Sequence, residues 1–271
     1  MKIIDTHAHI YPERIAEKAT EAISEFYEIR MQTNGHLATL FERGAQAGIV
    51  GHIVSSAATA PAQTMSINRF LSEAGKTYAD KLFAFGTFHP MDADKGAVFS
   101  GFREMGLHGA KIHPDFQKVP VDDPGYCEGY EILQELGLPV LCHTGDNRYD
   151  FSNPGRVEHV LKMFPRLRFI AAHLGGWTVW REATEKLAPY DNVVVDCSSS
   201  LFAMSPEEAA DLIRGYGADR VFFGTDFPMW DPVEEVDRVN RLPITETERE
   251  KIFALNALNY FGSELPESWR K

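Results

Sequence analysis

The N-terminal stretch Ile3-Ile4-Asp5-Thr6-His7-Ala8-His9 sets an acid and two imidazoles at alternate positions of a β-branched run. On a strand alternate side chains share a face, so Asp5, His7 and His9 point one way and Ile4, Thr6 and Ala8 the other. Neutral imidazole is the commonest metal ligand, but a lone His-x-His is also an ordinary strand end, so the pair needs partners. The chain supplies them. His89, His113, His143 and His173 each close or follow an apolar β-rich run, and Phe222-Phe223-Gly224-Thr225 delivers Asp226. His7, His9, His143 and Asp226 offer nitrogen and oxygen donors suited to Zn²⁺, Fe²⁺ or Mn²⁺, and the set leaves positions open for water and substrate. Lys111 and His113 share strand parity and can face the same mouth. His36, His52, His108 and His159 lie within or before elements and read as structural or surface residues.

The elements that must position these groups alternate in type. β-rich runs fall at Lys2–His7, Ile49–Ser55, Leu82–Phe88, Gly109–His113, Pro139–His143, Arg168–His173, Asn192–Cys197 and Arg220–Thr225. Between them lie segments of helical period: Ile15, Ala19, Ile23 and Phe26 make one apolar stripe, and Tyr130, Leu133 and Leu136 make another that stops at Gly137. Ser205 with Pro206 and Glu208, and Thr245 with Glu248, read as capping-box helix starts. Strands alternating with helices predict a parallel sheet covered by helices, and eight such strands in 271 residues favour an α/β fold of the (β/α)8 TIM-barrel type, a single domain over residues 1–271. An open doubly wound sheet usually carries a glycine-rich nucleotide turn, and none is present. The longest excursion, between the first two strands, is expected over the barrel mouth.

Composition narrows the partners. With 44% hydrophobic and 24% charged residues the chain is ordinary globular protein, and its net charge of −12 argues against nucleic-acid backbones and anionic membranes. No apolar run approaches the ~20 residues of a membrane span. Three widely spaced cysteines, Cys127, Cys142 and Cys197, make no disulfide framework. The expectation is a cytoplasmic protein with a small-molecule substrate, no nucleic-acid or membrane partner, and a homodimer left open.

The ordered set DTHAHIYP, GAKIHPDFQ, CHTG, AAHLGG and FGTDFP, running from the first strand to the eighth, resembles the amidohydrolase superfamily, and within it the amidohydrolase-2 branch of TIM-barrel metal-dependent hydrolases and decarboxylases. The resemblance implies His7, His9 and His143 as metal ligands, and Asp226 as a ligand or as the base for a metal-activated water. It implies His173 as general acid/base or second-metal ligand. It also implies one divalent metal, Zn²⁺ first and Fe²⁺ or Mn²⁺ next, with a second if Lys111 is carboxylated. Lys111, His113 and Arg148, with Arg69 a weaker candidate, are expected to hold a carboxylate-bearing substrate. Trp177 and Trp230 are candidate walls, and Asp5, Thr144 and Thr225 candidate supports for the ligands. The favoured expectation is hydrolysis of a C–O or C–N bond by metal-activated water. The alternatives are a decarboxylase or hydratase acting on an aromatic or unsaturated acid, and a non-catalytic metal-binding barrel.

Overall fold

The computed structural model describes residues 1–271. Its strands are β1 (Ile3–His9), β2 (Ile49–Ser55), β3 (Leu82–Ala84), β4 (Gly86–Thr87), β5 (Ala110–Ile112), β6 (Val140–Cys142), β7 (Phe169–Ala171), β8 (Val193–Asp196) and β9 (Val221–Phe222). All pairs are parallel, in two arcs ordered β1-β2-β3 and β4 through β9. Only Phe85 separates β3 from β4. Its N–H bonds Val54 O while His108 N bonds Ala84 O, so the two pieces act as one barrel strand. After β9, Thr6 N donates to Phe223 O at 2.9 Å and Asp226 N to His7 O at 2.7 Å, tying the last strand's extension to the first. The result is the expected α/β TIM barrel.

The strands can be buried on both faces because they are almost wholly apolar, as in Phe169–Ala171 and Val193–Val195. Ile4, Ile53, Phe83, Leu141, Ile170 and Phe222 fill the interior and meet Phe261 and Trp269 from the C-terminal helices. Those helices therefore stopper the end opposite the strand C-termini. Gly51 makes this fit, since a Cβ there would lie 1.8 Å from the Trp269 indole. Of the two expected capping boxes, Thr245 and Glu248 form theirs in full. At Ser205 only half forms: its hydroxyl takes the Glu208 N–H, but the Glu208 carboxylate turns to Arg181. No helix is long and apolar enough to cross a membrane. The three cysteines are free.

The excursion after β1 folds as a short turn at Glu13–Ile15 and two helices, Ala16–Tyr27 and Leu37–Gln46. The apolar stripe Ile15, Ala19, Ile23 and Phe26 does not enter the core. It lines the cavity above the strand ends, so the excursion is the roof of the barrel mouth.

Candidate active site

At the C-terminal end of β1 the imidazoles of His7 and His9 meet with their Nε2 atoms 3.2 Å apart, and Asp226 Oδ1 lies 3.1 Å from His9 Nε2 and 3.5 Å from His7 Nε2. Second contacts fix which nitrogens carry hydrogen. His7 Nδ1 faces Asp196 Oδ2 at 3.0 Å and His9 Nδ1 faces the Ser55 carbonyl at 3.3 Å, so both Nδ1 atoms are donors. Two Nε2 lone pairs and a carboxylate oxygen therefore converge on one point. That arrangement repels itself unless a cation sits among the three atoms, and mutual spacings near 3.2 Å suit ligands about 2.1 Å from a metal. The donor set fits a divalent ion. Lys111 Nζ, 2.9 Å from His7 Nε2, brings the nearest positive charge the chain itself has. Burial lowers the Lys111 pKa, with Asp226 and Asp196 acting against that.

The support beneath these atoms comes largely from residues that the sequence reading did not single out. Asp196, at the end of β8, is fully buried; its Oδ1 accepts from His173 N, Ser198 N and Ser198 Oγ while Oδ2 takes His7. Burial pushes its carboxyl up, but the His7 charge and hydrogen bond, with His173 and Ser198, bring it down to about 2. Asp226 Oδ2 accepts from Ser199 Oγ, which accepts in turn from Trp230 Nε1 at 2.8 Å, so Oδ1 is the atom presented to the imidazoles. Burial opposes ionisation of Asp226 as well, yet His7, His9 and His173 hold it well below the ordinary carboxylate range. His9 is pushed below its usual value by burial, against the pull of Asp226. His173 and Asp226 both take positive φ, 61° and 54°, which turns the chain sharply where each side chain enters the site. Gly224 lets the chain pass His7, whose Cβ would lie 2.8 Å from an added Cβ.

The remaining predicted residues divide. His143 and His173 are brought together, Nδ1 to Nε2 at 3.0 Å, with His173 Nδ1 bonded to Ser198. His143 is thus reached from the metal group through His173, whose ring stacks on His7 at 5.2 Å, and not by direct contact with His7, His9 or Asp226. His143 Nε2 is buried without a hydrogen-bond partner, as is Asp115 Oδ1, and Asp115 Oδ2 stands 3.7 Å from that nitrogen. Burial lowers the His143 pKa well below and that of His173 to about 4, and it raises Asp115 to about 7. His113 lies between Phe116 and His143, stacked at 3.6 Å and 3.9 Å.

Arg148 does not stand free for substrate. Asp146 takes its Nε and Nη2, the Phe26 carbonyl takes Nη1, and the guanidinium lies over the Phe26 and Tyr149 rings, so it straps the roof helix to the loop after β6. Arg69 stays on the surface and bonds Met65 O. Trp177 and Trp230 pack with Tyr27 and Met229 behind the cavity surface. Asp5 does not touch the His7 ring; it binds Thr225 and His52 and staples β1 to its neighbours. Thr144 caps a strand end through Ala172 O.

Above the metal group opens a cavity of about 760 Å³, roofed by Ile23, Phe26 and Tyr27 and floored by Lys111, His173 and Asp226. A family model described as amidohydrolase matches residues 4–262. The chain belongs to the amidohydrolase family. No curated protein matches this amidohydrolase in sequence. Among solved structures, an uncharacterised TIM-barrel protein of Bordetella bronchiseptica is 21% identical with a TM-score of 0.80, covering 100% of both chains. A 2,6-dihydroxybenzoate decarboxylase bound to 2,6-dihydroxybenzoate is 18% identical, TM-score 0.73, over 96% of this chain and 99% of that one. A dihydroxybenzoic acid decarboxylase from Polaromonas sp. JS666, with manganese and 2-nitroresorcinol bound, is 18% identical, TM-score 0.73, over 98% of each. At such identities these neighbours establish the amidohydrolase's fold.

Asp196, Ser198, Ser199 and Tyr27 carry no motif. Asp196 had a usable signal, a carboxylate at the end of the β-run Asn192–Cys197, the same position that singled out the histidines. The two serines lie in a run, Ser198-Ser199-Ser200, that reads as a loop, and Tyr27 ends a helix whose stripe pointed to packing.

Proposed function

We propose that this amidohydrolase is a metal-dependent lyase that removes the carboxylate of a small aromatic acid. The observation that carries the reading is the cavity's division into a cation-seeking, carboxylate-binding floor and a flat apolar roof. The floor is His9, His173, Asp226 and Lys111, with His7 buried just beneath; Phe26, Tyr27 and Phe116 give the aromatic surface. Such a site takes a planar ring with one acidic end. The names of the dihydroxybenzoate decarboxylases that share the fold support the same class. This departs from the preference for hydrolysis drawn from the sequence, where Asp226 beside an activated water was the simplest complete set.

His7, His9 and Asp226 would hold the ion; His143, bonded through Nδ1 to His173, groups instead with His113 and Asp115. A divalent ion bound there supplies Lewis-acid charge that anchors an acidic substrate. Imidazole and carboxylate donors admit Mn²⁺, Fe²⁺ and Zn²⁺ alike, and we assign one ion with Lys111 uncarboxylated. Lys111, donating at the floor, orients the substrate's carboxylate end. In the reaction the bond from ring to carboxylate breaks, its electron pair stays on the ring carbon, CO₂ leaves, and that carbon takes one proton. Asp115 lines the same cavity and keeps its proton to about pH 7, which makes it the acid of this wall. The second reading, hydrolysis of a lactone, ester or amide, draws on the ionised Asp226 as base.

The test is CO₂ release from a panel of hydroxybenzoates by protein stripped with chelator and then reloaded with Mn²⁺ or Zn²⁺. The reading expects release only after reloading. Hydrolysis of panel lactones or amides with no CO₂ from any acid would favour the second reading.

A further inference from the structure

The roof helix ends at Tyr27, whose hydroxyl is 2.8 Å from His113 Nε2 and has no other partner. The direction of that bond can be read from the other side of the imidazole. His113 caps the helix Pro114–Gln117, and its Nδ1 accepts the Phe116 N–H at 3.3 Å. A nitrogen that accepts a backbone N–H holds a lone pair, so the ring hydrogen is on Nε2. Nε2–H then donates to the Tyr27 oxygen, and the phenol's own hydrogen cannot be spent on His113. Tyr27 is held on its other sides by aromatic rings, Phe26 at 4.9 Å and Trp177 at 5.0 Å, which offer no oxygen acceptor. The same residue lines the cavity.

We propose that Tyr27 is a substrate-contacting residue that donates its phenolic hydrogen to a second oxygen of the substrate, remote from the metal group, with His113 fixing its direction. This rests on the aromatic-acid reading above and deepens it. Tyr27 is separated from His7 by the rings of His143, at 6.0 Å from Tyr27, and His173, so the oxygen it meets belongs to the far part of the ring and not to the carboxylate at the floor. The substrate class is therefore a ring carrying both a carboxylate and an oxygen substituent, such as a hydroxyl or its phenolate.

The experiment compares metal-loaded wild type with Tyr27→Phe, which keeps the ring and removes only the donor. Binding of benzoate and of 2-, 3- and 4-hydroxybenzoate is measured by calorimetry, with thermal melting and metal content as controls. At least one hydroxylated isomer should bind wild type more tightly than benzoate, and in the variant that advantage should fall by about tenfold, the worth of one hydrogen bond to a charged or strongly polar oxygen. Benzoate itself should bind both proteins equally. A merely structural role for Tyr27 would weaken all four ligands together and overturns the proposal, as does an unchanged preference. If the variant binds the hydroxylated acids as tightly as wild type does, the Tyr27 assignment fails while the aromatic-acid reading stands. If wild type binds none of the four, both fall. Should Tyr27→Phe melt early, His113→Asn, which keeps a helix cap, must show the same selective loss.

Discussion

Replacing Asp196 with Asn changes one atom in kind and almost none in place. Asp196 Oδ1 is held by three donors, His173 N, Ser198 N and Ser198 Oγ, so the amide oxygen of Asn must take that side. Its NH₂ then faces His7 Nδ1, where Oδ2 stood at 3.0 Å. Two donors cannot face each other, so His7 must move its hydrogen to Nε2, the atom that meets His9 and Asp226. The variant blocks the metal position without moving a backbone atom. Loss of such a supporting partner typically costs 10–100-fold in metal affinity, about 1.4–2.7 kcal/mol. A second cost falls on the fold. The Asp196 carboxyl is depressed from 3.8 to about 2, which corresponds to about 2 kcal/mol. A depressed acid stabilises above its unfolded pKa and loses that as pH falls through its folded one, so wild type's advantage is full at pH 7 and shrinks from about pH 4 downward. Competition with a fluorescent chelator at pH 7.5 measures the first effect and melting across pH the second. Wild-type metal affinity in Asp196→Asn would refute the tautomer argument.

The double variant His7→Asn with His9→Asn should lose stoichiometric metal by elemental analysis while far-ultraviolet circular dichroism stays that of a folded barrel. In wild type, where burial lowers the His9 pKa below its ordinary value, metal occupancy should survive to pH values below 6.5, and a chelator titration showing release centred above 6.5 would contradict this. Glu235 is 2% exposed and raised to about 8 by burial, with Arg238 Nε 2.9 Å away but not aligned to donate. A raised acid stabilises below its unfolded pKa and loses that as pH climbs through its folded value, so Glu235→Gln should gain on wild type between about pH 5 and pH 9, by on the order of a few kcal/mol, in denaturant melts.

The barrel was legible because parallel strands buried on both faces must be continuous apolar runs, and half of those runs, at Lys2–His7, Gly109–His113, Pro139–His143 and Arg168–His173, end in a histidine. His7, His9 and Asp226 share strand-end positions, and the structure brings them together. What sequence could not show is contact between side chains distant in the chain. Asp5 has the right parity to support His7 and accepts its backbone N–H at 3.1 Å, but the ring is held by Asp196 from the far side of the barrel. Arg148 looks like a substrate cation until its partner two residues back, Asp146, is seen to absorb it. The stripe on the roof helix was periodic for a reason that periodicity does not encode: it faces a cavity and not the core.

On the proposed reading this site takes CO₂ from an aromatic acid and gives the ring carbon a proton. Incubating metal-loaded protein with hydroxybenzoates in D₂O, and reading the product by NMR alongside released CO₂, follows both events in one experiment. The expected product carries one deuteron on the carbon that bore the carboxylate, with one CO₂ for each, and neither appears with the His7→Asn, His9→Asn protein. Label from H₂¹⁸O entering a new carboxylate of a lactone or amide, with no CO₂ and no ring deuteration from any acid, would contradict it.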